Sequence, residues 1–321
     1  MNGNDARFCF QQRMIDLSVI ILTHNESKHI GRCIQSLLQV TDKIFIVDSF
    51  STDDTVAIAE RLGARVVQNP WVSYAFQFNF GIRNNPFQTQ WLMRMDADEY
   101  LTPELAAELN SSLVQVPEHV SGLYLKRRVI FMEKWIHRGG YYPIWLLRIW
   151  RRGLGICEEL WMDEHIKLSS GTTAQLQHDI VDHTLNNLTW WTQKHNNYAI
   201  REVIDLLNIK YNFDSKETVE PSFWGSQEQR TRFLKIKYAN MPLFTRPFIY
   251  FTYRYFIKLG FLDGTKGLIW HVLQGFWYRF LVDAKIYEVY HRVGRDKEAI
   301  ISHFRTEYGK DLRNPNQSVS L

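Results

Sequence analysis

"KIFIVDSFSTDDTVAIAERLGARVVQ", residues 43–68, carries the reading that decides the fold. "KIFIVDS" (43–49) is a short apolar, β-branched run and reads as a strand. "TDDTVAIAERLG" opens on a capping residue with acids in its first turn and stops at Gly63, as a helix does. "ARVVQ" then resumes as a strand. The same alternation precedes it: "LSVIILT" (17–23) is a strand, and "SKHIGRCIQSLLQV" sets Ile30, Cys33, Ile34, Leu37 and Leu38 at helical spacing. Strands that are apolar throughout, rather than at every second position, are covered on both faces. That pattern predicts an α/β fold on a mostly parallel, Rossmann-like sheet flanked by helices.

The whole chain bounds what such a sheet can serve. Its 321 residues, 45% of them hydrophobic, are enough for one large or two modest domains. Three cysteines, Cys9, Cys33 and Cys157, lie far apart without a CxxC, which argues against a disulfide framework and a zinc cluster and suits a reducing compartment. The first residues, "MNGNDARFCFQQRMIDL", have no basic start, apolar stretch and small-residue cleavage site, and read as a short tail (1–16). Charge divides unevenly. Residues 232–321 hold fifteen Lys and Arg against seven Asp and Glu, a net +8, while the rest of the chain is net −4. The two parts are expected to meet different partners.

Ligands of parallel sheets bind at the carboxyl ends of the strands. Thr23, His24, Asn25 and Glu26 follow the first strand, Asp48, Ser49 and Ser51 the second, and "DADE" (96–99) the strand "WLMRM". Three loops thus converge on one crevice. "THNESKHIG" lacks GxGxxG, which counts against a dehydrogenase, and no Walker pattern occurs. In an extended segment residues i and i+2 share a face, so Asp96 and Asp98 are expected to form a two-carboxylate oxygen site for Mg²⁺ or Mn²⁺ with a pyrophosphate. On spacing alone, an acidic strand-to-helix turn explains the triplet equally well.

Here the chain resembles a known family. "LSVIILTHNESKHIGRCIQSL", "IVDSFSTDDTVAIAERLGARVV" and "DADEYLTPEL" are similar, in order and spacing, to the nucleotide-sugar half of family-two inverting glycosyltransferases of the GT-A fold. "WIHRGGYYPIWLLRIWRRG", "WMDEHI", "QHDIVDHTLNNLTWWTQKHNNYA" and "GFLDGTKGL" resemble the subgroup that adds sugars such as glucose to the lipopolysaccharide core and related lipid-linked glycans. The resemblance implies that Thr23, Asn25, Glu26, Asp48, Ser51, Gln77, Asn79, Asp96 and Ala97 line the nucleotide-sugar site. It implies that Asp98 holds the metal, with Asp96 beside it and His178 where a metal or diphosphate contact falls; a structural histidine is the other reading of His178. Glu164 matches the subgroup's catalytic base, with Asp163 the alternative in place of the usual histidine. Arg148 and His165 are expected near the diphosphate or acceptor. One departure stands out: the subgroup has Gln-Lys-Asn where this chain has Gln77-Phe78-Asn79.

The resemblance divides the chain into a catalytic domain over 17–231, with a nucleotide-sugar part (17–115) and an acceptor part (116–231), then a basic aromatic helical region (232–295) and a tail (296–321). Trp190, Trp191 and Tyr198 suit either a sugar platform or core packing. From 241 to 295 aromatics alternate with Arg and Lys, and no uncharged run is long enough to span a bilayer. Such helices fit an interfacial membrane position, or an aromatic pair packed on the domain. No nucleic-acid motif accompanies them. The expected protein is a metal-dependent glycosyltransferase at the cytoplasmic membrane surface, using a UDP-sugar and a lipid-linked or lipopolysaccharide-core acceptor. The alternative is an idle sugar-nucleotide or membrane-binding scaffold on the same fold.

Overall fold

The computed structural model describes residues 15–158, 165–213, 224 and 227–313. Three βα units come first: β1 (Leu17–Thr23), α1 (Ile30–Leu37), β2 (Ile44–Asp48), α2 (Thr55–Arg61), β3 (Arg65–Gln68), α3 (Tyr74–Asn84) and β4 (Trp91–Asp96). Side chains of successive strand residues leave on opposite faces. Val19, Ile21, Ile44 and Ile46 accordingly join a core under α1. Ile20, Phe45 and Val47 join a second core with Phe78 of α3. This sandwiching is what the uninterrupted apolar strands predict.

The strands β3, β2, β1 and β4 pair in parallel in that order, with Thr23 opposite Asp48 and Leu22 opposite Asp96. Three strand ends are therefore level. After a two-residue turn come β5 (Glu99–Leu101) and α4 (Pro103–Ser112), then β6 (Val120–Phe131), β7 (Lys134–Trp135), β8 (Ile144–Arg151), β9 (Gly155–Cys157), β10 (Ile166–Leu168) and β11 (Thr172–His183). β8 joins β4 antiparallel, β6 follows β8 antiparallel, and β11 runs parallel to β6. β5 closes the edge antiparallel to β11, with Asp182 opposite Glu99. The end of β11 is thereby brought level with the acidic turn.

The C-terminal part is helical: α5 (Leu188–Tyr211), α6 (Gln227–Ala239), α7 (Arg246–Thr252), a π-helical turn (Tyr253–Ile257), a 3₁₀ turn (Gly260–Asp263), α8 (Gly264–Trp270), a second π segment (His271–Trp277), α9 (Tyr278–Val293) and α10 (Lys297–Tyr308). Val203, Ile204 and Leu207 of α5 share a core with Val282, Ile286 and Val289 of α9 and with Ile300 and Phe304 of α10. Two expected boundaries are corrected by this packing. The 231/232 division falls inside α6, and the helical unit begins with α5, whose apolar face has α9 as its partner. Residues 297–308 are not a tail, because Ile300 and Phe304 are core side chains.

His271 ties this helical unit to the loop after β7. Its ring lies where a Cβ on Gly139 would come within 1.9 Å and one on Gly260 within 2.4 Å, so neither position accommodates a side chain. Both ring nitrogens are buried without a partner. Burial, with help from Arg254, holds the imidazole down at about 4. The unfolded chain, near 6.5, takes up its proton first as pH falls. Stability should therefore be full above about pH 6.5 and decline toward about pH 4, by about 3 kcal/mol if the whole shift is expressed. Urea unfolding at pH 7.5 and 5 measures this, and His271→Asn should flatten the decline. An unchanged slope in that variant contradicts the assignment.

Candidate active site

The loop after β1 is fastened to the loop after β2. Asp48 is fully buried and accepts from Thr23 Oγ1 at 2.8 Å, Ser51 N at 2.8 Å and Ser51 Oγ at 2.5 Å. Asn25, in the left-handed region at φ 58°, accepts from Thr52 N through Oδ1 and donates its own N–H to Ser51 Oγ. Glu26 N donates to Thr55 Oγ1, and Glu26 Oε2 pairs with His29 Nδ1 at 2.7 Å. The expected line of Thr23, Asn25, Glu26, Asp48 and Ser51 is thus one connected wall. Within it Asp48 is buried and fastens the two loops together.

Gln77 and Asn79 are likewise committed. Gln77 donates to Ser49 Oγ and Asn69 O, and accepts from Asn69 Nδ2. Asn79 exchanges two hydrogen bonds of 2.9 Å with the Cys157 backbone at the end of β9. Both amides, expected to line the donor site, are buried and hold loops. Phe78 is buried against Tyr74 and Trp150. A cation reaches the same neighbourhood from β4: the Arg94 guanidinium lies over the Tyr74 ring at 4.3 Å and over Phe78 at 5.7 Å.

The acidic triplet is held together mainly by arginine. Arg148 Nη2 donates to Asp96 Oδ2 at 3.0 Å and to Glu99 Oε1 at 2.5 Å, and Tyr74 OH donates to Asp96 Oδ1 at 2.9 Å. Asp96 N donates to Glu99 Oε2 at 2.9 Å. Burial raises the Glu99 carboxyl while Arg148 opposes it. Asp96, half-buried, is held well below the usual carboxylate range by Arg148 and Arg94. Arg148, expected near the diphosphate or acceptor, is itself buried, and its described partners are Asp96 and Glu99, for which it is the internal counter-ion. Breaking a buried pair of this kind leaves uncompensated charge and destabilises a fold strongly.

Residues 97 and 98 form a turn between β4 and β5, so Asp96 and Asp98 do not share a strand face and the i, i+2 expectation fails. Ala97 packs into the core. Asp98 is half-buried, and its carboxylate accepts no hydrogen bond from the described residues; its carbonyl accepts from His183 N at 3.1 Å and Arg32 Nη2 at 3.2 Å. Beside it stands Asp182, which burial and the Asp98 charge push up to about 6. Lys194 on α5 completes the group. Burial alone would lower its ammonium, but Tyr198, Asp98, Glu26 and Asp182 raise it, so it stays a cation between the loop after β1 and the acidic turn.

The histidines sort differently from expectation. His178 Nδ1 pairs with Glu108 of α4 at 2.8 Å, and the backbone N–H groups of Gln177 and His178 donate to the same carboxylate. It does not join Asp96 and Asp98, and no three-residue metal-binding group forms among the described residues. His183 is the histidine at the turn. Arg32 Nη1 can only donate to its Nδ1 (3.0 Å), which leaves Nε2 as the donor to Glu133 at 3.1 Å. Arg151 and Arg152 bind backbone carbonyls rather than solvent or phosphate. Trp191 is core and stacks on His195 at 3.5 Å, whereas Trp190 is half-buried beneath Lys194 at 4.7 Å.

Asp163 and Glu164 lie outside the described residues. The stem that carries them is described: β9 and β10 pair from Cys157 opposite Ile166, and Glu158 N donates to His165 O at 2.9 Å. His165 Nδ1 is 3.6 Å from Glu158 Oε2, beside Lys167 at 2.8 Å, so its described partner is this stem. Asn79 anchors the stem at Cys157, one residue along α3 from Phe78 and its contacts with Tyr74 and Arg94.

Sequence and structure comparisons bear on this site. Residues 18–174 match the family described as glycosyl transferase family 2. A glycosyltransferase of Rickettsia prowazekii is 30% identical over 279 residues, 85% of this chain and 87% of that protein. One from Rickettsia conorii is 46% identical, but over 93 residues, so the chain covers 32% of it. The lipopolysaccharide core biosynthesis glycosyltransferase LpsC of Rhizobium meliloti is 28% identical over 85% of this chain and 93% of its own length. Among solved structures, Staphylococcus aureus TarS in complex with UDP-GlcNAc aligns over 91% of this chain and 92% of that one, at 14% identity and a TM-score of 0.44.

Proposed function

The chain belongs to glycosyl transferase family 2, and from that premise we propose a metal-dependent inverting enzyme that moves a sugar from a UDP-sugar to a lipid-linked or lipopolysaccharide-core acceptor. The observation that carries this reading is the group at the level strand ends. Asp96 and Glu99 are neutralised internally, while the Asp98 carboxylate has no hydrogen-bonded partner among the described residues and stands beside Asp182 and Lys194. A hard cation of the Mg²⁺ or Mn²⁺ kind is commonly held by one or two carboxylates with substrate phosphates and water, and Asp98 suits that role. When bound, it neutralises charge on the diphosphate. Similarity to LpsC along nearly its whole length supports the acceptor class.

The chain's own residues then divide the work. The wall from Thr23 to Ser51 shapes the nucleoside side of the crevice, and the Lys194 ammonium faces the position of the diphosphate. The acceptor hydroxyl attacks the anomeric carbon from the side opposite the leaving group. Its proton passes to Glu164, or to Asp163, and the anomeric carbon–oxygen bond breaks with its electron pair on the diphosphate. The product is UDP and a glycoside of inverted configuration. The work takes place at the inner face of the cytoplasmic membrane, where the protein sits peripherally; among the described residues no helix is long and apolar enough to cross one. Incubation with an α-linked UDP-sugar and a core-glycan acceptor should give a β-linked product by proton NMR. Retained configuration contradicts the single-displacement reading.

A further inference from the structure

From residue 246 to 257 the helix buries and exposes residues in pairs. Arg246, Pro247, Tyr250, Phe251, Arg254 and Tyr255 turn inward, and Phe248, Ile249, Thr252, Tyr253, Phe256 and Ile257 turn out. A strict four-residue repeat drifts around an ordinary α-helix. The wider π-helical turn at Tyr253–Ile257 counters that drift and keeps the outward stripe in line. The 3₁₀ turn continues it: Phe261 is 43% and Leu262 54% exposed, close to Phe256 at 54% and Ile257 at 66%. An exposed apolar surface of this extent marks an interaction site.

Its charge selects the occupant. Between residues 241 and 279 the sole acid is Asp263, which is buried and accepts from His137 N at 3.1 Å and Arg138 N at 2.8 Å. The exposed ionised groups there are Lys258 and Lys266. A second copy docked by two-fold symmetry would set these cations against each other, whereas an anionic lipid surface complements both the apolar stripe and its basic rim. The stripe also lies next to the acidic turn. Lys266 Nζ donates to Met132 O at 2.6 Å, Met132 is itself 46% exposed, the adjoining Glu133 pairs with His183, and His183 N holds the Asp98 carbonyl.

We propose that Phe248, Ile249, Phe256, Ile257, Phe261 and Leu262 insert into the interface of an anionic bilayer, seating the crevice beside acceptors anchored in it. The acceptor part rests on the sugar-transfer reading; the docking does not. The test is co-sedimentation of the full chain with vesicles of phosphatidylcholine alone or mixed with phosphatidylglycerol. Wild-type protein should pellet with the mixed vesicles. Phe256→Glu/Ile257→Glu/Leu262→Glu should bind at least about tenfold more weakly, and Lys258→Gln/Lys266→Gln should lose the preference for anionic lipid. Because all five side chains are exposed, the variants should keep wild-type circular dichroism and UDP binding. Vesicle binding unchanged in the triple variant overturns the proposal. So does a wild-type dimer in sedimentation velocity that the triple variant converts to monomer while vesicle binding is unaltered. Failure of vesicle binding with UDP binding intact overturns the docking alone, and the reverse overturns the donor site alone.

Discussion

Asp98→Asn should slow sugar transfer by at least about 10³-fold and abolish the Mn²⁺ dependence of UDP binding. The substitution removes one charge and preserves shape. The Asp98 side chain fastens nothing among the described residues, because the turn is held through its carbonyl by His183 N and Arg32. Removing the charge relieves Asp182, which Asp98 pushes upward, and also removes a charge that supports the Lys194 ammonium; the two effects oppose, so the fold should stay close to wild-type stability. Stability and activity therefore move independently, which separates a metal role from a structural one. The contrast is Asp96: its oxygens serve Tyr74 and Arg148, and Asp96→Asn should lose stability together with activity. An Asp98→Asn enzyme with ordinary metal dependence removes Asp98 from the donor site.

Glu164→Gln should reduce transfer by about 10²- to 10⁴-fold while leaving UDP-sugar affinity within about twofold of wild type. A general base acts on the acceptor proton and contributes little to holding the donor, so the loss belongs in kcat. The amide keeps the size of the side chain but cannot take the proton. Asp163→Asn is the paired measurement. Near-normal transfer by Glu164→Gln with collapse of Asp163→Asn moves the base to Asp163, and normal rates in both remove residues 163 and 164 from the chemistry.

The parallel half of the sheet was legible because its cause is local. Apolar runs such as "LSVIILT" and "KIFIVDS" state that both faces are covered, and the following Thr23 and Asp48 state where the strands end. The site was legible only to the level of these strand ends. The spacing of Asp96 and Asp98 misled because the shared-face rule needs an extended chain, and the chain turns at residues 97 and 98. Arg148 looked like a phosphate ligand because nothing local signals that β8 joins β4 and carries its guanidinium beneath the acidic turn. The same holds for His178 and His183, five residues apart on one strand: pairing of β11 with β5, a long-range event, decides which one reaches Asp98. Lys194 and Asp182, which the fold places near Asp98, were not singled out for that reason, although Lys194 stands in the quoted stretch "TQKHNNYA". Arg94, whose guanidinium lies over Phe78, stands one strand away and needed the fold to be seen.

A metal-assisted donor site at Asp98 is tested most directly by calorimetric titration of UDP into the wild-type protein with Mn²⁺, with Mg²⁺ and with EDTA. Binding should require a divalent ion and disappear with chelator, while the unfolding curve of the protein is unaffected by EDTA. UDP binding equally tight in EDTA, or no binding by folded protein under any condition, would contradict a metal-assisted donor site at Asp98.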